Sequence, residues 1–113
     1  MGALSIKILP EAVRSLAFGS ISAAYMGIGT PLSNPSRIFL IQNLTDALLM
    51  FSFDGITDHI PVAANGFVLL DITANKTVSQ GFYIAEGTRI YVKEVDTPTS
   101  GSVYVSSFYG IDS

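Results

Sequence analysis

Short runs of β-branched, aromatic and aliphatic residues recur along this chain at nearly even spacing, each closed by Gly, Pro, Asn or Asp. Alternation at a two-residue period, broken regularly by turn formers, is the pattern of an all-β sandwich or barrel. About eight or nine strands are predicted on that template. The first runs from Leu4 to Leu9 and is stopped by Pro10; a second spans Ala12 to Phe18 and a third Ile21 to Met26. Gly27 to Pro35 contains two prolines and further glycines and reads as a loop, because proline removes a ladder donor and both residues favour turn geometry. Pro10 to Phe18 offers about two turns of helical spacing and no strong cap, so no helix is expected.

From Arg37 onward the signal sharpens. Ile38, Phe39, Leu40 and Ile41 follow one another, so Arg37 to Gln42 is predicted as a strand buried on both faces, central in a sheet or at an interface. Ala47 to Phe53 alternates, with Ala47, Leu49, Phe51 and Phe53 on one face and Leu48, Met50 and Ser52 on the other. Asp54-Gly55 is the pair that two-residue hairpin turns favour, and Ile56 to Val62 is expected to return antiparallel. Phe67 to Ile72, Gly81 to Ala85, Thr88 to Lys93 and Ser102 to Tyr109 complete the set. In the last, Val103, Val105 and Tyr109 share a face opposite Tyr104 and Phe108. The predicted fold is a single antiparallel β-sandwich domain over residues 1–113, jelly-roll-like, in which residues 1–35 serve either as an arm reaching a neighbour or as ordinary edge strands.

Composition changes this picture in one respect. Charged residues are 13% of the chain against a usual value of about a quarter, while 49% is hydrophobic and the mean hydropathy is +0.47. A small domain has much surface to cover with polar groups, so this shortage predicts that protein covers part of the surface in the working state. Six basic residues are spread thinly against nine acidic ones, a net charge of −3. Without clustered Lys and Arg there is no counterion-releasing patch, which argues against nucleic acid. The uncharged stretch between Arg14 and Arg37 is too rich in Gly, Pro, Ser and Thr for a spanning helix, and the N-terminal residues lack a basic region leading into an apolar run; neither membrane insertion nor a secretory signal is expected. With no cysteine, disulfides and thiolate chemistry are excluded.

Candidates for chemistry are few. His59 is the only histidine, and Asp58 beside it points to the opposite face of a strand, so adjacency makes no acid-base pair. Asp46, Asp54 and Asp58 match no calcium-loop spacing, and Asp54 is better read as the first residue of a turn. Asn43-Leu44-Thr45 and Asn75-Lys76-Thr77 fit the glycan-acceptor pattern but are more simply turn sequences. No serine sits in a Gly-x-Ser-x-Gly elbow. The expectation is a protein that is not an enzyme and uses neither cofactor nor metal.

The segments Arg37-Ile-Phe-Leu-Ile-Gln-Asn-Leu-Thr-Asp46, Ser52-Phe-Asp-Gly55, Leu70-Asp-Ile-Thr-Ala-Asn75, Glu86-Gly-Thr-Arg-Ile-Tyr-Val-Lys93 and Ser100-Gly-Ser-Val-Tyr104 resemble those of small virion proteins of tailed bacteriophages. The resemblance covers most of the chain after about residue 36 and consists of structural motifs without a chemical fingerprint. It implies a jelly-roll or related sandwich serving as a capsid cement (decoration) subunit, or as a ring or adaptor in the neck and tail. The partners implied are further copies of the chain and other virion proteins, the major capsid protein first. Ile21, Tyr25, Met26, Ile28, Phe39, Ile41, Tyr91, Tyr104 and Phe108 are the candidate partner-contacting residues. A reading from another class is a carbohydrate-binding sandwich with Tyr25, Tyr83, Tyr91 and Tyr104 as its platform, against which the absence of Trp counts.

Overall fold

Alternating side chains bury one face of a strand only if a second layer covers it, and the chain supplies two such layers. A computed structural model describes residues 6–71 and 84–112. Within them lie β1 (Ile6–Pro10), β2 (Arg14–Ala17), β3 (Met26–Ile28), β4 (Ile38–Asn43), β5 (Leu49–Ser52), β6 (Ile60–Val62), β7 (Gly66–Asp71), β8 (Ile90–Glu94) and β9 (Ser102–Asp112). One sheet has the order β1-β9-β4-β7 with β2 also on β9, the other β3-β8-β5-β6, and every pairing is antiparallel. The long β9 organises the first sheet. One of its edges carries β4, and the other carries β2 on Ser102–Val105 and β1 on Phe108–Asp112. Residues 6–28 thus contribute strands to the chain's own sheets.

The two sheets pack as a β-sandwich, with the core drawn from the inward half of each alternating strand. Phe39 and Ile41 of β4 and Val103 and Val105 of β9 meet Leu49 and Phe51 of β5 and Ile90 and Val92 of β8, and Ile28 and Val62 close the ends. The faces predicted for Ala47 to Phe53 and for Ser102 to Tyr109 are those observed: Val103 and Val105 are fully buried, whereas Tyr104 and Phe108 lie half-buried on the outside. Phe53 stays beside the core, its ring 6.1 Å from that of Phe39.

Three expectations fail for local reasons. Ile21 to Met26 is not a strand: Ile21 is a buried anchor, and the Ser22 hydroxyl accepts the Ala24 N–H at 3.3 Å, so that this backbone donor is used locally instead of in a ladder. The strand forms later, over Met26–Ile28, inside the segment expected to be loop. Gly27 permits this, because a Cβ there would overlap the Arg89 guanidinium, which lies across β3 and donates from Nε to the Gly29 carbonyl at 2.8 Å. Finally, β5 and β6 pair as predicted, but seven residues, Phe53 to His59, join them in place of a two-residue turn. Most of the predicted strand Gly81 to Ala85 lies outside the described residues; Ile84 forms an isolated bridge with Ser36.

Gly101 enters β9 with φ +90°, and a Cβ there would stand 2.0 Å from the Leu44 carbonyl oxygen. Both the left-handed backbone and the close approach demand glycine. Gly101→Ala is expected to cost about 2–3 kcal/mol, adding strain to overpacking, and equilibrium urea unfolding checks it.

Candidate functional site

The run Ile38 to Ile41 is resolved by the sandwich into two destinations. Phe39 and Ile41 enter the core, while Ile38, Leu40 and Gln42 lie half-buried on the outside of the five-stranded sheet. Their neighbours follow from the register. Gln42 lies between Phe67 and Tyr104, Leu40 between Leu69 and Ser106, and Ile38 between Asp71 and Phe108. Beyond β9 the same face continues through Ser15 and Ala17 of β2 and Ile8 and Pro10 of β1. Phe67 is 66% exposed, Leu69 54% and Ile8 39%. Apart from Asp71 at the end of β7, the side chains described here carry no charge. A sheet in water alternates apolar inside with polar outside; this one carries Ile38, Leu40, Phe67, Leu69 and Phe108 outside as well, with Gln42, Ser106 and Ser15 among them.

The outside of the four-stranded sheet differs. Tyr91 and Lys93 of β8 and Met50 of β5 lie there, with Tyr25 donating to Asp58 at 2.5 Å and Lys93 pairing with Asp58 at 2.9 Å. The Lys93 ammonium also sits 4.8 Å from the Tyr25 ring centre. Partial burial, reinforced by the Asp58 carboxylate, raises the Tyr25 phenol well above its ordinary value. Donation from Tyr25 and then from Lys93 holds Asp58 below the usual carboxylate range. The joining loop folds over this face around Asp54, which accepts the N–H groups of Thr57 and Ile56 and the Ser52 hydroxyl, each at 2.8 Å, and is thereby held well below the usual carboxylate range. His59 closes the loop, its Nδ1 lying 3.0 Å from the Phe53 N–H that it accepts. Asp46 accepts from the N–H and hydroxyl of Thr99, which lowers its carboxyl also. The aspartates are thus engaged separately, and among the described residues no three His, Cys, Asp or Glu side chains gather as a metal site.

Two polar knots went unrecognised in the sequence. Glu11 and Arg14 meet at 2.8 Å, both nearly buried, beside an open groove of about 520 Å³. Arg14 also donates to the Thr30 and Pro31 carbonyls at 2.6 and 2.9 Å, and Glu11 accepts the Ser33 and Asn34 N–H groups and the Asn34 amide. Both ions are saturated by the chain itself. Their only sequence signal is a charged residue at the inward register position two before Leu16. The second knot is Asn43, wholly buried, whose Nδ2 donates to the carbonyls of Ala47, Val62 and Ala63 at 2.8, 2.9 and 3.2 Å. Its Oδ1 accepts from the N–H and hydroxyl of Thr45. This glycan-acceptor sequence is a buried turn; the second, at Asn75, lies outside the described residues.

The candidate contact residues therefore separate. Ile28, Phe39 and Ile41 are fully buried and Ile21 nearly so; they belong to the core, which corrects their reading as contact residues. Tyr104 and Phe108 occupy the apolar outer face, while Tyr25 and Tyr91 lie on the opposite sheet and Met26 at its exposed edge. Missed on that outer face were Phe67 and Leu69 of the edge strand β7, its most exposed large apolar members, although the alternation of Phe67 to Asp71 marks them. Among the described residues, Tyr25, Tyr91 and Tyr104 form no common platform. Tyr25 and Tyr104 are on different sheets, Tyr83 lies outside the described residues, and the Tyr91 ring packs against Gly55, where a Cβ would lie 3.2 Å away. No described helix is long and apolar enough to cross a membrane. Comparison of the chain with protein-family models, curated proteins and solved structures returned no match.

Proposed function

We propose that this chain is a non-enzymatic structural subunit of a tailed-phage particle, a capsid cement or decoration protein that works by packing against neighbours. The observation that carries the assembly role is the outer face of the five-stranded sheet, where Phe67 and Leu69 of β7, Ile38 and Leu40 of β4 and Phe108 of β9 occupy positions that a solvated sheet would make polar. Low charge supports the same reading, because a surface that protein covers needs few ions. The virion setting rests on the resemblance in residues 37–104, and the symmetric multiplicity of a shell would turn weak single contacts into strong attachment.

Copy number relative to the major capsid protein in purified particles tests the setting. Copies on the order of hundreds, as a shell-wide symmetric lattice requires, are the expected result. About a dozen copies would move the subunit to a ring in the neck or tail, and none would overturn the virion reading.

A further inference from the structure

We propose that Asn65, in the turn between β6 and β7, is a site of spontaneous deamidation, at which the folded chain converts with age to aspartate and isoaspartate. The sequence holds two dipeptides prone to cyclic-imide formation, Asp54-Gly55 and Asn65-Gly66, because glycine leaves the attacking backbone nitrogen without a shielding Cβ. The structure separates them. At the first, the Asp54 carboxylate accepts the Ile56 and Thr57 N–H groups and the Ser52 hydroxyl, and the same hydroxyl accepts the Gly55 N–H at 3.0 Å. At the second, Asn65 is exposed with φ +59°, and among the described residues no hydrogen bond holds its side-chain amide. The Gly66 N–H donates to the Ala63 carbonyl at 2.9 Å, a bond internal to the turn. Of the other described asparagines, Asn34 precedes Pro35, which has no N–H to give up, and Asn43 is wholly buried with both ends of its amide hydrogen-bonded.

The reaction needs only water. Opening of the turn frees the Gly66 nitrogen, which loses its proton and attacks Cγ of Asn65; the N–Cγ bond forms, the Cγ–Nδ2 bond breaks, and Nδ2 takes up a proton and leaves as ammonia. Water then opens the cyclic imide. Attack at Cγ restores the main chain and leaves aspartate, whereas attack at the main-chain carbonyl carbon routes the chain through Cγ as isoaspartate. Access is easy here, because the turn joins an edge strand of one sheet to an edge strand of the other, and one backbone hydrogen bond should slow the reaction only about fivefold. The two products differ in consequence. Aspartate tolerates a left-handed backbone as asparagine does, and adds a negative charge two residues from Phe67. Isoaspartate inserts a methylene into the main chain where β7 begins to pair with Asn43 of β4, which takes Gly66 out of line with Ala63. This site stands whether or not the chain belongs to a particle.

Ageing the purified full chain in neutral buffer, folded and in urea, tests the proposal by peptide mapping and mass spectrometry, with isoaspartate labelled by an isoaspartate-specific methyltransferase. Conversion at Asn65 is expected in the folded chain at a rate within about tenfold of that in urea. It should slow in mildly acid buffer, because the nitrogen must lose its proton. Isomerisation at Asp54, held by more bonds, should gain more from urea than Asn65 does. Asn65→Gly, which suits the left-handed backbone, should abolish the product and keep its melting temperature on ageing. The aged parent should divide into an aspartate form that melts as Asn65→Asp does and an isoaspartate form that melts lower. Asn65 that stays intact while the chain is folded, Asn34 or Asn43 converting as fast, or Asp54 gaining no more from urea than Asn65 would each overturn the proposal. Should Asn65→Gly fail to fold, the peptide map of the parent chain decides.

Discussion

Asn43→Ala is expected to lower the unfolding free energy by about 4 kcal/mol, since each buried polar group left without its partner costs about 1–3 kcal/mol. The substitution strips the amide donor from the carbonyls of Ala47, Val62 and Ala63 and the acceptor from the N–H and hydroxyl of Thr45. Those groups sit where β4 leaves its sheet and β5 and β6 begin to pair, so their loss loosens both layers together. Domains of this kind are stable by about 5–15 kcal/mol, which makes the change large enough to read by chemical denaturation. Asn43→Asp sharpens the test. It retains the acceptor but turns a second oxygen toward three carbonyls, so burial and repulsion must raise the introduced carboxyl above its unfolded value. A raised acid binds its proton more tightly in the folded state, and the deficit against the parent should narrow as pH falls from 7 to about 5. A deficit that ignores pH would contradict the assigned hydrogen bonds.

Breaking the Glu11–Arg14 pair is the second large effect. Arg14→Ala leaves Glu11 nearly buried without its counter-ion and deprives the Thr30 and Pro31 carbonyls of donors, at an expected cost of about 3–5 kcal/mol. The double variant Glu11→Leu/Arg14→Met should recover much of that loss, because an apolar pair of similar volume avoids desolvating two ions. Acid should act through the same pair. Burial pushes the Glu11 carboxyl up, but hydrogen bonds from Arg14, Asn34 and Ser33 outweigh it and hold the group below its ordinary value. A depressed acid contributes stability that is present above the unfolded value of about 4.3 and is lost as pH falls through the folded one. The melting temperature should therefore drop below about pH 4.5, and Glu11→Gln should drop less steeply over that interval.

The strands were largely legible because their signal is local. Alternation in Ala47 to Phe53 and Ser102 to Tyr109 placed Leu49, Phe51, Val103 and Val105 inside, where each is fully buried. Where side chains capture nearby backbone, the same reasoning failed. Ser22 interrupts the strand expected over Ile21 to Met26, and Asp54 wraps a seven-residue loop where Asp-Gly predicted a tight turn. A dipeptide preference of a few tenths of a kcal/mol yields to several specific hydrogen bonds to one carboxylate.

Asn43-Leu44-Thr45 reads identically as a surface acceptor or a buried knot; the difference is made by Val62 and Ala63, brought over by another strand. Glu11 and Arg14 likewise became necessary to each other only when the sandwich removed water from both. What the sequence by itself determined was an all-β chain with too little charge for its surface, because period and composition are properties of the chain alone. Tertiary structure decided that Phe39 and Ile41 are core while Leu40, Phe67 and Leu69 face outward, because only pairing between distant strands and the stacking of one sheet on the other define an inside.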